Sequence, residues 1–250
     1  VNKSVLCAAV LLMGLTACTS DNSGAAPPPE VFGPAGYRGL TPGMTKEAAL
    51  ATGKLAAAPT SNLDGCTDFS YAGGPAPDPA RMAAEDAAEK KSRELNAKAD
   101  EAKKTADQGG QRQPAQNAEQ AAKNAEEAAK GAQRAAESAQ LNADATMAMV
   151  ELMEKREARD TAFSAEGGAS FGKDGLRQLA APPAAKTAEG ISTGSTVDEL
   201  KKAYEARGLK LGENERYQLA IADKPNWHYE FTVKDNKVTS VSIISSAECS

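Results

Sequence analysis

Residues 227–234 alternate between two kinds of side chain. Trp227, Tyr229, Phe231 and Val233 fall on one side, and His228, Glu230, Thr232 and Lys234 on the other. A period of two predicts a half-buried strand. Similar material lies at 217–222 and, beyond a turn at Asp235-Asn236, at 237–244. Far upstream, 67–71 has the same character. Residues 169–172, a turn at Lys173-Asp174-Gly175 and residues 176–180 supply two further strands.

Two stretches share a second pattern. Gly39-Leu40-Thr41-Pro42-Gly43-Met44-Thr45-Lys46-Glu47 and Gly190-Ile191-Ser192-Thr193-Gly194-Ser195-Thr196-Val197-Asp198 both read glycine, apolar, hydroxyl, any, glycine, any, threonine, any, acid. This is a helix entry. Thr45 and Thr196 are placed as N-caps, whose hydroxyls accept from a free backbone N–H. Thr196 and Glu199 have capping-box spacing. Gly43 and Gly194 allow the tight turn before each cap. Gly53 and Gly208 then mark the helix ends. Each half of the chain therefore predicts one helix followed by about three antiparallel strands.

Residues 79–162 interrupt the first half. They consist almost entirely of Ala, Glu, Lys, Gln, Asp and Arg, most of them strong helix formers. Gly109-Gly110 and Pro114 break the segment once, which predicts two helices and a hairpin. A heptad beginning at Ala118, Ala125 and Ala132 predicts an alanine seam of period seven. Glu94 with Lys98, Glu119 with Lys123 and Glu126 with Lys130 support the helices from outside. Met147, Met149, Val150, Leu152 and Met153 are larger, so the base of the hairpin is expected to be firmer than its tip. At about 1.5 Å per residue the longer helix reaches some 60–70 Å.

The opening of the chain has another logic. Lys3 precedes an apolar run at 5–15, well short of the ~20 residues needed to span a bilayer. Leu15-Thr16-Ala17-Cys18 closes it as a lipobox, the pattern that places a diacylglycerol on a cysteine sulfur. The alternative is a chance cysteine, since Cys7 lies in the same run. The reading gives a signal peptide over 1–17, a lipid-modified Cys18 and a flexible tether over 18–30 rich in Ser, Gly, Ala and Pro. The expected location is the extracytoplasmic face of the cell membrane, held by the acyl chains.

Cys66 and Cys249 then remain. An even pair in an exported protein reads as one disulfide, with two buried free thiols as the alternative. The formal net charge of −5 disfavours nucleic acid as a partner.

The Gly-Met-Thr entry at Gly43-Met44-Thr45 and its counterpart Gly194-Ser195-Thr196, each leading to a short helix and antiparallel strands, resemble the fold of the β-lactamase inhibitory protein. They are also similar to the single unit of BamE-like outer-membrane lipoproteins. The resemblance covers about 31–78 and 163–250. With Gly65-Cys66-Thr67-Asp68-Phe69 and the C-terminal cysteine, the whole chain resembles a group of actinobacterial lipoproteins. The inhibitory-protein family implies a disulfide within each repeat, whereas this chain has one cysteine per repeat, so a single bridge joining the halves is expected. The fold class is α+β. Two αβββ repeats, 31–78 with 163–181 and 182–250, form one globular unit that the Ala-rich helical hairpin at 79–162 interrupts.

Chemistry is sparse. His228 is the single histidine and is expected on an outer strand face. It has no second histidine or free cysteine with which to form a nucleophile pair or a His-based metal site. The many carboxylates of 79–162 interleave with Lys and Arg, which reads as a solvated helix surface. Trp227 is either a binding anchor or a member of the core face with Tyr229 and Phe231. No catalytic residue, metal or cofactor is expected. The chain reads as a non-enzymatic interaction module whose partner is an envelope protein or cell-wall component. A cell-wall spacer acting through the hairpin and a β-lactamase or protease inhibitor are the alternatives.

Overall fold

The computed structural model describes residues 30–107, 115–246 and 249. The apolar run, Cys7, Cys18, the tether up to residue 29 and the Gly109-Gly110 and Pro114 break lie outside the described residues.

The chain is mixed α and β. Its elements are α1 (Lys46–Ala51), β1 (Thr67–Ser70), α2 (Pro79–Asp107), α3 (Ala118–Glu166), β2 (Gly168–Gly172), β3 (Gly175–Ala180), α4 (Val197–Tyr204), β4 (Lys210–Leu211), β5 (Arg216–Ala220), β6 (Trp227–Lys234) and β7 (Lys237–Ser245). The strands form one antiparallel sheet in the order β1-β2-β3-β7-β6-β5-β4. Residues 67–70 thus pair with 168–171 across the whole length of α2 and α3. The two-residue strand β4 has no counterpart in the sequence reading. The strand expected at 217–222 ends at Ala220, where Ile221 turns its N–H to the Trp227 carbonyl.

Both helix entries form as their residues dictate. Thr45 Oγ1 accepts from Ala48 N–H, and Thr196 with Glu199 makes a full capping box. Gly43 at φ 86° and Gly194 at φ 90° hold the left-handed turn before each cap, where a side chain would be strained.

One face of the sheet is the core. Phe69, Phe171, Leu179, Tyr229, Phe231, Val241 and Ile243 are buried there, under Leu200 and Tyr204 of α4 and Phe32 and Leu40 of the N-terminal segment. Tyr204 lies 5.4 Å from Phe231, and Phe69 lies 5.8 Å from Phe171, ring centre to ring centre. The Tyr71 hydroxyl donates to the Ala180 carbonyl, which ties the segment after β1 to β3. Trp227 is half-buried and packs against this core.

A disulfide joins Cys66, just before β1 at one sheet edge, to Cys249 beyond β7 at its centre. The closed loop spans 183 positions. In the chain-entropy view such a bridge is worth at most about 5 kcal/mol.

The helices α2 and α3 lie side by side and run in opposite directions. Lys91 pairs with Glu151 at 2.8 Å, and farther out Lys98 and Thr105 share a shallow groove with Arg134 and Leu141. The seam keeps a period of seven in α3, through Asn124, Gly131, Ser138, Ala145, Leu152 and Arg159, all buried or half-buried. The heptad itself chose no phase; in the structure the seam line avoids Ala118, Ala125 and Ala132, which are exposed. A run in which Ala fills three of every seven positions gives a period but no preferred side. The phase comes from larger residues near the sheet.

That anchoring is a correction. Met147, Val150 and Met153 are 72 %, 51 % and 58 % exposed, so the expected apolar base is reduced to Leu152 with Leu63 and Ala88. Moreover, α3 runs four residues past the expected boundary at 162. It stops at Gly167, whose N–H bonds the Phe163 carbonyl. Phe163 lies against Gly168. A Cβ there would sit 3.0 Å from the Phe163 ring and 2.3 Å from the Phe69 carbonyl oxygen, so a glycine lets α3 approach the sheet.

Candidate functional site

The sheet face opposite the core is polar, and α3 crosses only part of it. Alternation in β5, β6 and β7 sends Arg216 and Gln218, His228, Glu230 and Thr232, and Ser240 and Ser242 to this outer side. The register then assembles them into rows. Gln218, Glu230 and Ser242 lie across three adjacent strands, and Arg216, Thr232 and Ser240 form the next row. Neighbouring strands are about 4.8 Å apart, so each row is a ladder of polar groups at that spacing.

Two bulges enrich the face. In the β2–β3 pairing Ser170 faces Gln178 while Phe171 faces Leu176, which leaves Arg177 as the extra residue. Arg177 and Gln178 therefore both line the outer side. In the β6–β7 pairing Thr239 is the extra residue, and its hydroxyl donates to the Thr232 carbonyl at 3.2 Å.

The floor and the wall of α3 enclose a groove. Its inner part, walled by Arg159, Asp160, Phe163 and Ser164, has a volume of about 440 Å³. It continues outward between Met149, Met153 and Arg156 of α3 and Thr232, Lys234 and Thr239 of the β6–β7 hairpin, where a wider space of about 810 Å³ opens. The two parts share Asp160, Ser164, Arg216, Thr232 and Ser240.

Asp68 closes the inner end. Its side chain is 8 % exposed. Burial pushes its carboxyl above the usual range, while a hydrogen bond with Ser170 and the charges of Arg159 and Arg177 hold it back. Burial also works against the charge of Arg159, but Asp160, Asp68 and Asp64 outweigh it and keep the guanidinium protonated. On the far side Arg216 lies 3.3 Å from Glu230, and Gln218 donates to the same carboxylate. Gln178 donates to the Ser242 hydroxyl at 3.4 Å.

Charged clamps hold the wall in place. Asp64, at φ 61° in a 3-10 turn over Leu63–Gly65, accepts two hydrogen bonds from Arg156 Nε at 2.9 Å. Arg159 reaches Asp64 and the Leu63 carbonyl. The start of α2 is held similarly. Glu85 is 1 % exposed, accepts from the Ser61 hydroxyl at 2.6 Å and lies 3.4 Å from Arg81, which donates to the Thr60 carbonyl.

Glu85 and Arg159 thus depart from the solvated-surface reading of the helical segment. They sit on the buried line because partners wait for them in the 60–68 loop. The signal that could have found them is positional, since each continues the buried heptad line of its helix.

Of the residues singled out in the sequence, the structure brings His228 into the groove, half-buried rather than on an open surface. Trp227 faces the opposite way. Cys66 borders the groove, with an Arg177 nitrogen 3.6 Å from its sulfur. Gly43, Thr45, Gly194 and Thr196 serve the helix entries on the core side and do not approach it. Among the described residues no group of three or more His, Cys, Asp or Glu side chains is placed to hold a metal. No described helix is long and apolar enough to cross a membrane.

Compared with protein-family models, curated proteins and solved structures, the chain matches none.

Proposed function

We propose that this protein is a lipid-anchored, extracytoplasmic interaction module whose binding surface is the outer-face groove. Its Cys18 carries the acyl chains, the residues up to 30 form the tether, and the groove meets a component of the cell envelope. The observation that supports this reading most is the groove itself. The outer sheet face is largely polar and built from aligned rows, yet α3 crosses only part of it and leaves the rest open.

The fold reading beneath this proposal is a duplication. The two helix entries have matching caps and matching left-handed glycines. The strands divide into meanders β1-β2-β3 and β5-β6-β7 that meet at β3 and β7, as expected of two αβββ units joined edge to edge. The α2–α3 hairpin is then an insertion into the first unit, and the likeness to inhibitory-protein and BamE-like lipoprotein folds belongs to the same reading.

The test uses the full chain expressed in a bacterial host. Intact mass should place a diacylglycerol on Cys18. A photo-crosslinking residue at position 234, at the outer mouth of the groove, should give a discrete adduct that is absent with the same residue at position 201 on α4. An unmodified Cys18 would remove the anchor. Identical patterns from the two positions would remove the groove as the binding surface.

The length of α3 favours a second reading. Its 49 residues extend about 74 Å at 1.5 Å per residue, enough for a spacer within the envelope. Deleting the outer hairpin should then change envelope spacing and leave the crosslink at position 234 intact.

A further inference from the structure

From the chemistry of the groove we infer that it binds an uncharged, hydroxyl-rich ligand, a neutral oligosaccharide lying across the rows of β7, β6 and β5. This rests on the reading of the groove as the interaction surface.

The first argument is charge. Arg159, Arg177 and Arg216 line the inner groove against Asp68, Asp160 and Glu230, three guanidiniums facing three carboxylates. The pairing is local as well as overall. Arg159 pairs with Asp160 and Asp68, Arg177 acts on Asp68, and Arg216 pairs with Glu230. Recognition of a phosphate or carboxylate draws on a guanidinium whose fork is open to it; Arg159 and Arg216 already serve a carboxylate, and Arg177 lies against the Cys66 sulfur within the field of Asp68. A ligand bearing net charge of either sign would have to separate a pair.

The second argument is the floor. Its central positions are Gln178, Gln218, Thr232, Ser240, Ser242 and His228. Hydroxyls and amides both donate and accept, so they suit a partner whose groups do the same. A carboxylate such as Glu230, which accepts from Gln218 through one oxygen and from Arg216 through the other, has lone pairs left for neighbouring hydroxyls. Among the described residues, the fully enclosed side-chain polar atoms that lack a partner are Arg81 Nε and Glu85 Oε1, neither in this groove. The polar atoms of the floor therefore either have partners or reach water, which a ligand can replace.

The third argument separates a saccharide from a peptide. An extended peptide is read through the edge of a sheet or through alternating apolar pockets. This groove lies on the face of central strands whose backbones are already paired on both sides. Ile244 and Phe163 are the apolar side chains of its inner part, and they make no alternating series of pockets. The rows repeat across strands, not along one, so they suit a chain of rings whose polar groups recur at each step.

The experiment uses the full-length protein in a detergent without a sugar headgroup. Chitotetraose, cellotetraose and maltotetraose are titrated by calorimetry beside a tetragalacturonate and an uncharged tetrapeptide. At least one neutral tetrasaccharide should bind, with affinity changing less than about twofold between about 50 and 500 mM salt. Gln218→Ala and His228→Ala should each weaken that binding about tenfold, about 1.4 kcal/mol, with unchanged melting. Lys201→Ala on the opposite side should leave it alone.

Binding of none of the neutral sugars, binding of the tetragalacturonate or the peptide alone, or neutral binding indifferent to both groove variants would overturn the inference. If the crosslink at position 234 persists while no neutral sugar binds, the ligand class fails and the interaction surface stands. If both are lost, both readings fall.

Discussion

Behind the sheet, Tyr204, Tyr229 and Phe231 bring their rings within 6.2 Å of one another. Along the α2–α3 seam the corresponding interior places hold Ala88, Ser92, Ala99, Ser138, Ala145 and Ala148. A buried aromatic is worth about 1.5–3 kcal/mol, while a methyl contributes about 0.8. The seam serines are not lost to the backbone either, since Asn96 and Asn142 each donate to the serine four residues earlier. One chain thus builds two interiors, a thick one of rings and a thin one of methyls. The thin one stays attached through ionic clamps at its base. The arm is held in place more by where it is rooted than by what runs along it.

All five tyrosines and the single tryptophan lie outside α2 and α3, which contribute most of the helix. Tryptophan fluorescence therefore reports on the sheet and far-ultraviolet circular dichroism chiefly on the arm. The sharpest break in the comparison is Phe231→Ala. Phe231 is fully buried, and truncation should cost about 3–5 kcal/mol. The fluorescence midpoint in a denaturant titration should fall accordingly, while an early helical phase from the outer arm stays where it is. A single coincident transition for both probes would mean that the two interiors melt as one.

The clamp comes next. Asp64→Asn keeps a residue that tolerates the left-handed backbone at φ 61° and removes the charge that Arg156 and Arg159 share. Hydrogen bonds to a charged group are worth about 1.5–3 kcal/mol, and a loss of that order is expected in the helical phase. Lys91→Ala removes the exposed pair with Glu151 farther out and should cost under about 1 kcal/mol. Comparing the two midpoints by circular dichroism measures the difference between root and shaft. Equal effects would contradict rooting at the base.

Much of the sheet was legible in the sequence because its cues are local. The alternation at 227–234, the turn at Asp235-Asn236 and the threonine caps each act within a few residues, and each has the geometry its residues call for. The pairing of 67–70 with 168–171 needed a longer argument, because the two lie on either side of α2 and α3. The groove was not legible. It depends on which face α3 leaves open and on bulges at Arg177 and Thr239 that alternation alone does not reveal. The clamps were missed for a related reason. Asp64, Arg156 and Arg159 look like ordinary surface charges until the 3-10 turn brings the loop beneath the helix.

The phase of the seam gives the smallest and most discriminating effect. The heptad alone places Ala125 and Ala132 on an equal footing with any other line of the helix, whereas the structure turns them outward and buries Ala145. Ala125→Gln should therefore leave the helical midpoint within about 0.5 kcal/mol of the parent. The same change at Ala145 forces a long amide into a space that holds one methyl, and overpacking of that kind costs about 1–3 kcal/mol. Glutamine propagates a helix nearly as well as alanine, so propensity cannot supply the difference. If the two variants melt together, the helices are not held in this register. If the order reverses, the alanines at 118, 125 and 132 form the seam after all, and Leu152 loses its place against Leu63.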